Sequence, residues 1–328
     1  MVQSVAEEGM RLQRKVDLLR LSQSTQGKRK GCIMSCFDNL TSENGTPYLI
    51  PSFKQTERRL LSVFMSLLEL SPTIRGHFLG FCGYRGARTS TYKSLMEVSY
   101  SGSKYPEVRP DGLVSCKRGS TNWSAYIEAK AKRMNIRSEQ IQSYIDLAKI
   151  TGVDAVITIS NEFARVPSEL PYHLDAKKRG GKAVYHFAWA DIRTLLELAK
   201  QDLELEPIEV GLLSECLRFF WDERSGISTY DAMPQNWPAF VEAASTALGF
   251  NANVKGLSEV IYGWEQERRD LCSKLTRESG ALVDIRHSEG VRSTVEERSK
   301  ADKKTSPTTI LLVQSTSTDI LNLGWNCW

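Results

Sequence analysis

Long apolar runs are missing from this 328-residue chain. No stretch approaches the roughly eighteen residues that span a bilayer, so no membrane partner is expected. The amino-terminal MVQSVAEEGMRLQRK is charged throughout and lacks the apolar centre of a secretory leader, which points to an intracellular, cytoplasmic protein. Histidine is scarce. His77, His173, His186 and His287 stand apart, with no H-x-x-x-H pairing, and receive no role. The seven cysteines are odd in number and scattered, which fits a reducing compartment rather than a disulfide framework. Cys32 and Cys36 form a lone C-x-x-x-C with no second pair, so they read as small hydrophobes and not as zinc ligands. Net charge is also small, +4 from 43 basic and 39 acidic residues, so a polyanionic partner is permitted but not demanded.

What is present is ordinary globular material, 41% hydrophobic and 25% charged, with enough apolar residues for two cores. Three regions are expected. Residues 1–50 carry turn-rich polar stretches such as STQGKRKG and NLTSENGTP and read as an arm and loop. Residues 51–205 show helical periodicity over Gln55 to Leu70 and then strand patterns in YKSLMEVSY, EVRPDGLVS and NWSAYIEAKAK. The helix SEQIQSYIDLAKITG follows, opened by Ser138 as N-cap and stopped by Gly152, and then the β-branched runs DAVITIS and AVYHFAWA. This order predicts an α/β layer around a mixed sheet, αβββαβ, with Trp123 and Trp189 packing in strands. Residues 206–328 read as a mainly helical accessory region, able to serve a homodimer or a protein partner. The abrupt stop at GWNCW is what a fragment would show.

Chemistry concentrates in RPDGLVSCKRGSTNWSAYIEAKAK, residues 109–132. Side chains alternate along a strand, so Tyr126, Glu128 and Lys130 share one face and Ile127 and Ala129 the other. If the preceding strand pairs as a hairpin, Asp111 comes beside Glu128. Two adjacent carboxylates resist joint ionisation, and a hard divalent cation relieves them. On a helical wheel Glu57 lies in the apolar stripe of Leu61, Phe64 and Leu68, where a carboxylate needs a reason. Gln140 sits at the buried edge of its helix near Tyr144, whereas Gln142 faces outward. Each has a plainer explanation: a solvated Glu128–Lys130 ion pair, turn chemistry at Asp111, a helix-dipole contact at Glu57, core packing at Tyr144.

In sequence order these residues resemble the P-D…(D/E)-x-K signature of the restriction-endonuclease-like nuclease superfamily. Asp111 follows Pro110, and Glu128-Ala129-Lys130 supplies the E-x-K. Gln140 to Tyr144, QIQSY, resembles the Q-x-x-x-Y element of the RecB and lambda-exonuclease branch, and Glu57 matches the extra helix-borne acid of many members. The resemblance covers residues 50–205. It implies a restriction-endonuclease-like core and Mg²⁺ (or Mn²⁺) held by Asp111, Glu128 and the carbonyl of Ala129. Glu57 would hold a second metal or its water, Lys130 would position the attacking water, and Gln140 with Tyr144 would brace the site. The activity implied is phosphodiester hydrolysis of DNA, with RNA not excluded, as an endonuclease in restriction, repair or defence. Lys132, Arg133 and Arg137 are better placed to meet phosphates than GKRKG (27–31) or AKKRGGK (176–182). The alternative is a non-catalytic nucleic-acid-binding or scaffold protein that keeps the same fold.

Overall fold

The computed structural model describes residues 36–43, 45–132, 134–201, 205–230, 233–245, 256–281, 283–285 and 312–314. The expected N-terminal arm before residue 36 lies outside them, as does Arg133. After a short strand β1 (Leu40–Ser42), helix α1 (Thr56–Leu70) forms where straight-chain and aromatic residues recur, and it buries Leu60, Leu61, Phe64, Met65, Leu67 and Leu68. It ends at Ser71, whose extended backbone and following proline cannot continue it. A second helix to which sequence reasoning assigned no element, α2 (Pro72–Phe81), starts at once with proline in its first turn and the Ser71 hydroxyl accepting from Ile74 N at 3.2 Å.

Next come β2 (Thr91–Met96), β3 (Val98–Tyr100), β4 (Gly112–Arg118) and β5 (Thr121–Ala129), then α3 (Ser138–Thr151), β6 (Ala155–Ser160), β7 (Ala183–Ala188) and α4 (Trp189–Ala199). YKSLMEVSY is therefore two strands, broken at Glu97, which takes a left-handed φ of 49°. Five strands form one mixed sheet in the order β2-β4-β5-β6-β7, antiparallel as far as β5 and parallel beyond it, while β1 and β3 pair separately. Ser138 is not the N-cap of α3. Arg137 holds that place, and the Ser138 hydroxyl instead donates to the His173 carbonyl at 2.5 Å. Gly152 does stop α3, in the left-handed conformation at φ 76°. Trp189 begins a helix rather than ending a strand, yet it packs as expected, fully buried with its ring edge-on to Phe64.

α1 covers one face of the sheet through Ile127, Ala129 and Ile157; α3 covers the other, where Ile141, Tyr144 and Ile145 meet Val156 and Val184. Helix α5 (Pro207–Trp221) adds Leu213, Cys216, Leu217 and Phe220 to the α1-side core. Its first-turn Glu209 accepts from the Ser71 hydroxyl at 2.5 Å, so one carboxylate binds the N-termini of α2 and α5 together. Downstream of a turn at Gly226, α6 (Trp237–Ser245), α7 (Leu257–Ser279) and the hairpin partners β8 (Val283–Ile285) and β9 (Leu312–Gln314) complete the described chain. Gly226 has φ 82°, and a Cβ there would stand 2.4 Å from Thr56 Cγ2. Its carbonyl accepts from Lys132 N and from Asn161 Nδ2, both at 2.9 Å, which pins the ends of β5 and β6 to this turn. No helix among the described residues is long and apolar enough to cross a membrane.

Candidate active site

The β4–β5 register, Gly112 opposite Ile127, carries Asp111 to a position opposite Glu128. Asp111 sits one residue ahead of β4, and its Oδ2 accepts from Ala129 N at 2.9 Å. Alternation along β5 sends Ile127 and Ala129 into the α1 core and Glu128 toward α3, where it is fully buried. A buried carboxylate requires donors, and three converge on it. Lys130 Nζ pairs with Oε1, Gln140 Nε2 reaches the same oxygen at 2.8 Å, and the Tyr144 hydroxyl donates to Oε2 at 2.7 Å. One helical turn separates Gln140 from Tyr144, so they stack on one face of α3, and Gln140 Nε2 also lies 2.9 Å from the Tyr144 oxygen. That hydroxyl has a second acceptor in reach, the Arg109 carbonyl at 3.1 Å. The Lys130 backbone is fixed on both sides, its N–H donating to Ile159 O at 2.8 Å and its carbonyl accepting from Trp189 Nε1 at 2.7 Å.

Burial first, and then the charge of Glu128 beside it, push the Asp111 carboxyl up to about 8. The same burial, reinforced by Glu128, drives the Tyr144 hydroxyl well above the usual phenol range, so it stays a donor. Asp111 thus resists ionisation beside its buried neighbour. Gln140 Oε1 is buried beside them with no hydrogen-bond partner. Hard oxygen donors and an acceptor lacking a donor together fit a hydrated divalent cation, whose waters would satisfy that oxygen. No group of three or more His, Cys, Asp or Glu among the described residues is gathered for a metal. Two carboxylates remain within what Mg²⁺ accepts, since it keeps several waters.

The structure brings Asp111, Glu128, Lys130, Gln140 and Tyr144 together. Glu57 stands apart from this network: half-buried in the first turn of α1, it makes no hydrogen bond or ion pair with a described residue. Lys132 and Arg137 are exposed, one just past β5 at φ 57° and the other capping α3. Sequence reasoning missed Glu97. It is buried, its N–H donates to the Asp111 carbonyl at 2.8 Å, and its carboxylate pairs with Arg58 and, at 3.4 Å, with Arg109. The available signal was a lone charge between the apolar Met96 and Val98.

His186 is also better placed than its isolation in sequence suggested. Register aligns Glu128 with Thr158 and Thr158 with His186, so three polar side chains cross the sheet in a row. His186 Nε2 lies 2.8 Å from the Glu162 carbonyl, which can only accept, so that nitrogen bears the proton; Nδ1, 2.9 Å from Thr158 Oγ1, then accepts. Burial lowers its pKa to about 4 from an ordinary 6.5. Below pH 6.5 the unfolded chain binds a proton that the folded chain refuses, so this contribution to stability is complete above 6.5 and is lost as pH falls toward 4. Between pH 7 and pH 4 the parent chain is expected to lose roughly 3 kcal/mol more than His186→Gln, measured by urea unfolding at each pH.

A scan against protein-family models gives no match to the chain, and a search of curated proteins gives none either.

Proposed function

We propose that the chain is a metal-dependent nuclease of the restriction-endonuclease-like, PD-(D/E)xK type, hydrolysing phosphodiester bonds of DNA. The observation that carries this reading is the convergence of Asp111, Glu128 and Lys130, braced by Gln140 and Tyr144, at the ends of β4 and β5 on one α/β sheet. Asp111 and Glu128 would hold Mg²⁺ or Mn²⁺, with the Ala129 carbonyl as a further oxygen and Glu57 as the outlying acid. When bound, the ion supplies Lewis acidity and a nucleophilic water at neutral pH. The chain's own groups do the remainder. Lys130 holds a proton and a positive charge at Nζ, oriented by Glu128, where negative charge develops on the phosphate. Gln140 and Tyr144 hold Glu128 in place by hydrogen bonds, and Asp111 keeps its rotamer through the Ala129 N–H. Lys132 and Arg137, exposed just past β5 and at the start of α3, are suited to backbone phosphates; Arg133 is proposed for the same role on sequence grounds.

One observation favours the competing, non-catalytic nucleic-acid-binding reading: both Glu128 oxygens already have protein donors. The deciding test places the purified chain on supercoiled and linear DNA with Mg²⁺, Mn²⁺ or EDTA, beside Lys130→Ala. Metal-dependent cleavage that the variant loses is the expected result, and relaxed circles would identify internal cutting. Cleavage equal in the variant would mark a contaminant. Binding without cleavage in either metal would establish the docking reading.

A further inference from the structure

A cavity of about 660 Å³ lies between the long β6–β7 connection and α7, within the size range of small-ligand sites. Its walls carry three carboxylates, and each has a protein partner. Glu169 accepts from Arg165 Nε at 3.0 Å through both oxygens, Glu265 accepts from Arg268 at 3.0 Å, and Asp175 accepts from Lys177 N at 2.9 Å. A fourth wall residue, Arg179, has no such compensation. Its side chain makes no hydrogen bond or ion pair with a described residue, and its Nε is shielded from water with no acceptor. An anion in the cavity would meet the terminal nitrogens of this guanidinium, which have no acceptor among the described residues either.

The rest of the wall is aromatic. Tyr172 and Tyr262 both line the cavity, yet their hydroxyls are tied back, to Thr158 Oγ1 at 3.0 Å and to the Glu162 carboxylate respectively. Ring surface is what they have left to offer, next to Phe163. An uncompensated cation and aromatic walls in one cavity call for a ligand with an anionic group and a planar ring. The position narrows the choice. Thr158, which anchors Tyr172, is the register partner of Glu128, so one wall residue of the cavity is held by the strand next to the one that carries Glu128.

We infer that this cavity is a mononucleotide site, with Arg179 receiving the phosphate and Tyr172 and Tyr262 flanking the base. Charge and ring surface argue for an aromatic anion on their own; the preference for a nucleotide rests on the phosphodiesterase reading. The nucleotide is either free or one residue of a strand, and both present the same chemistry.

The experiment uses the full chain in EDTA, so that cutting plays no part, with calorimetric titration of adenosine 5′-monophosphate, adenosine, inorganic phosphate and a single-stranded dodecamer. Saturable binding of the monophosphate is expected, weakened about tenfold or more by Arg179→Ala and partly restored in Arg179→Lys. Binding of adenosine should change little in Arg179→Ala. If the dodecamer suffers the same loss, the nucleotide arrives on a strand; if only the monophosphate does, it arrives free. No saturable nucleotide binding overturns the inference. So does a monophosphate affinity indifferent to Arg179 in a variant that melts like the parent, or inorganic phosphate binding as tightly as the nucleotide. None of these results depends on whether the chain cleaves DNA, so failure of the cavity and failure of the nuclease reading are separable.

Discussion

Glu128→Gln is expected to reduce metal-dependent DNA cleavage by about a hundredfold or more while leaving the chain folded. The substitution is nearly isosteric, so the packing between β5 and α3 survives. What changes is charge and hydrogen-bond sense. A carboxylate accepts from Lys130, Gln140 and Tyr144 at once, whereas an amide offers one acceptor oxygen and turns an NH₂ toward one of the three donors. Lys130 loses its counter-ion, and the site loses one of the two carboxylates that would draw a divalent cation. Initial rates on supercoiled DNA across a Mg²⁺ series are the measurement. Cleavage that persists at the parental rate would remove Glu128 from the chemistry, and the proposed nuclease with it.

Trp189→Ala is expected to destabilise the fold by about 3–5 kcal/mol, the range for deleting a large buried aromatic. Trp189 is fully buried, edge-on to Phe64 at 6.1 Å between centroids and tilted against Phe220 at 6.1 Å, so its removal opens a void where α1, α4 and α5 meet. The cost also reaches the site, because Nε1 is the donor for the Lys130 carbonyl. Trp189→Phe separates the two effects: it refills much of the void but leaves that carbonyl without its donor, which costs about 1–3 kcal/mol. Guanidinium unfolding measures both losses. A Phe variant as stable as the parent would mean that the indole N–H contributes nothing there.

Local pattern made part of this molecule readable. The β-branched and aromatic runs that become β5, β6 and β7, and the capped periodicity of α3, are nearest-neighbour signals, and strand alternation alone orients Glu128 away from Ile127. The meeting of Asp111 with Glu128 was readable too, because a hairpin with a short turn leaves little freedom in its register. What stayed hidden depends on contacts remote in sequence. Glu97 reads as a strand residue until the left-handed turn of its backbone delivers it to Arg58 and the Asp111 carbonyl. Ser138 looks like a cap because Ser favours that position, but the His173 carbonyl, 35 residues on, recruits its hydroxyl. The wheel argument put Glu57 in the apolar stripe, yet the first turn of α1 lies beyond the packed part of that stripe, where burial is only partial. The cavity by Arg179 had no local signature, since its walls come from residues about a hundred positions apart.

The Tyr144 hydroxyl carries a single hydrogen and has two oxygens within range, on Glu128 and on the Arg109 carbonyl. It is a molecular rotor whose resting direction is decided by whichever oxygen is more electron-rich. Anything that drains electron density from Glu128 swings the O–H bond toward Arg109, two residues ahead of Asp111. Tyr144 therefore couples the Glu128 carboxylate to the backbone just ahead of Asp111, and the C=O stretching band of Arg109 would register that exchange as a shift to lower frequency.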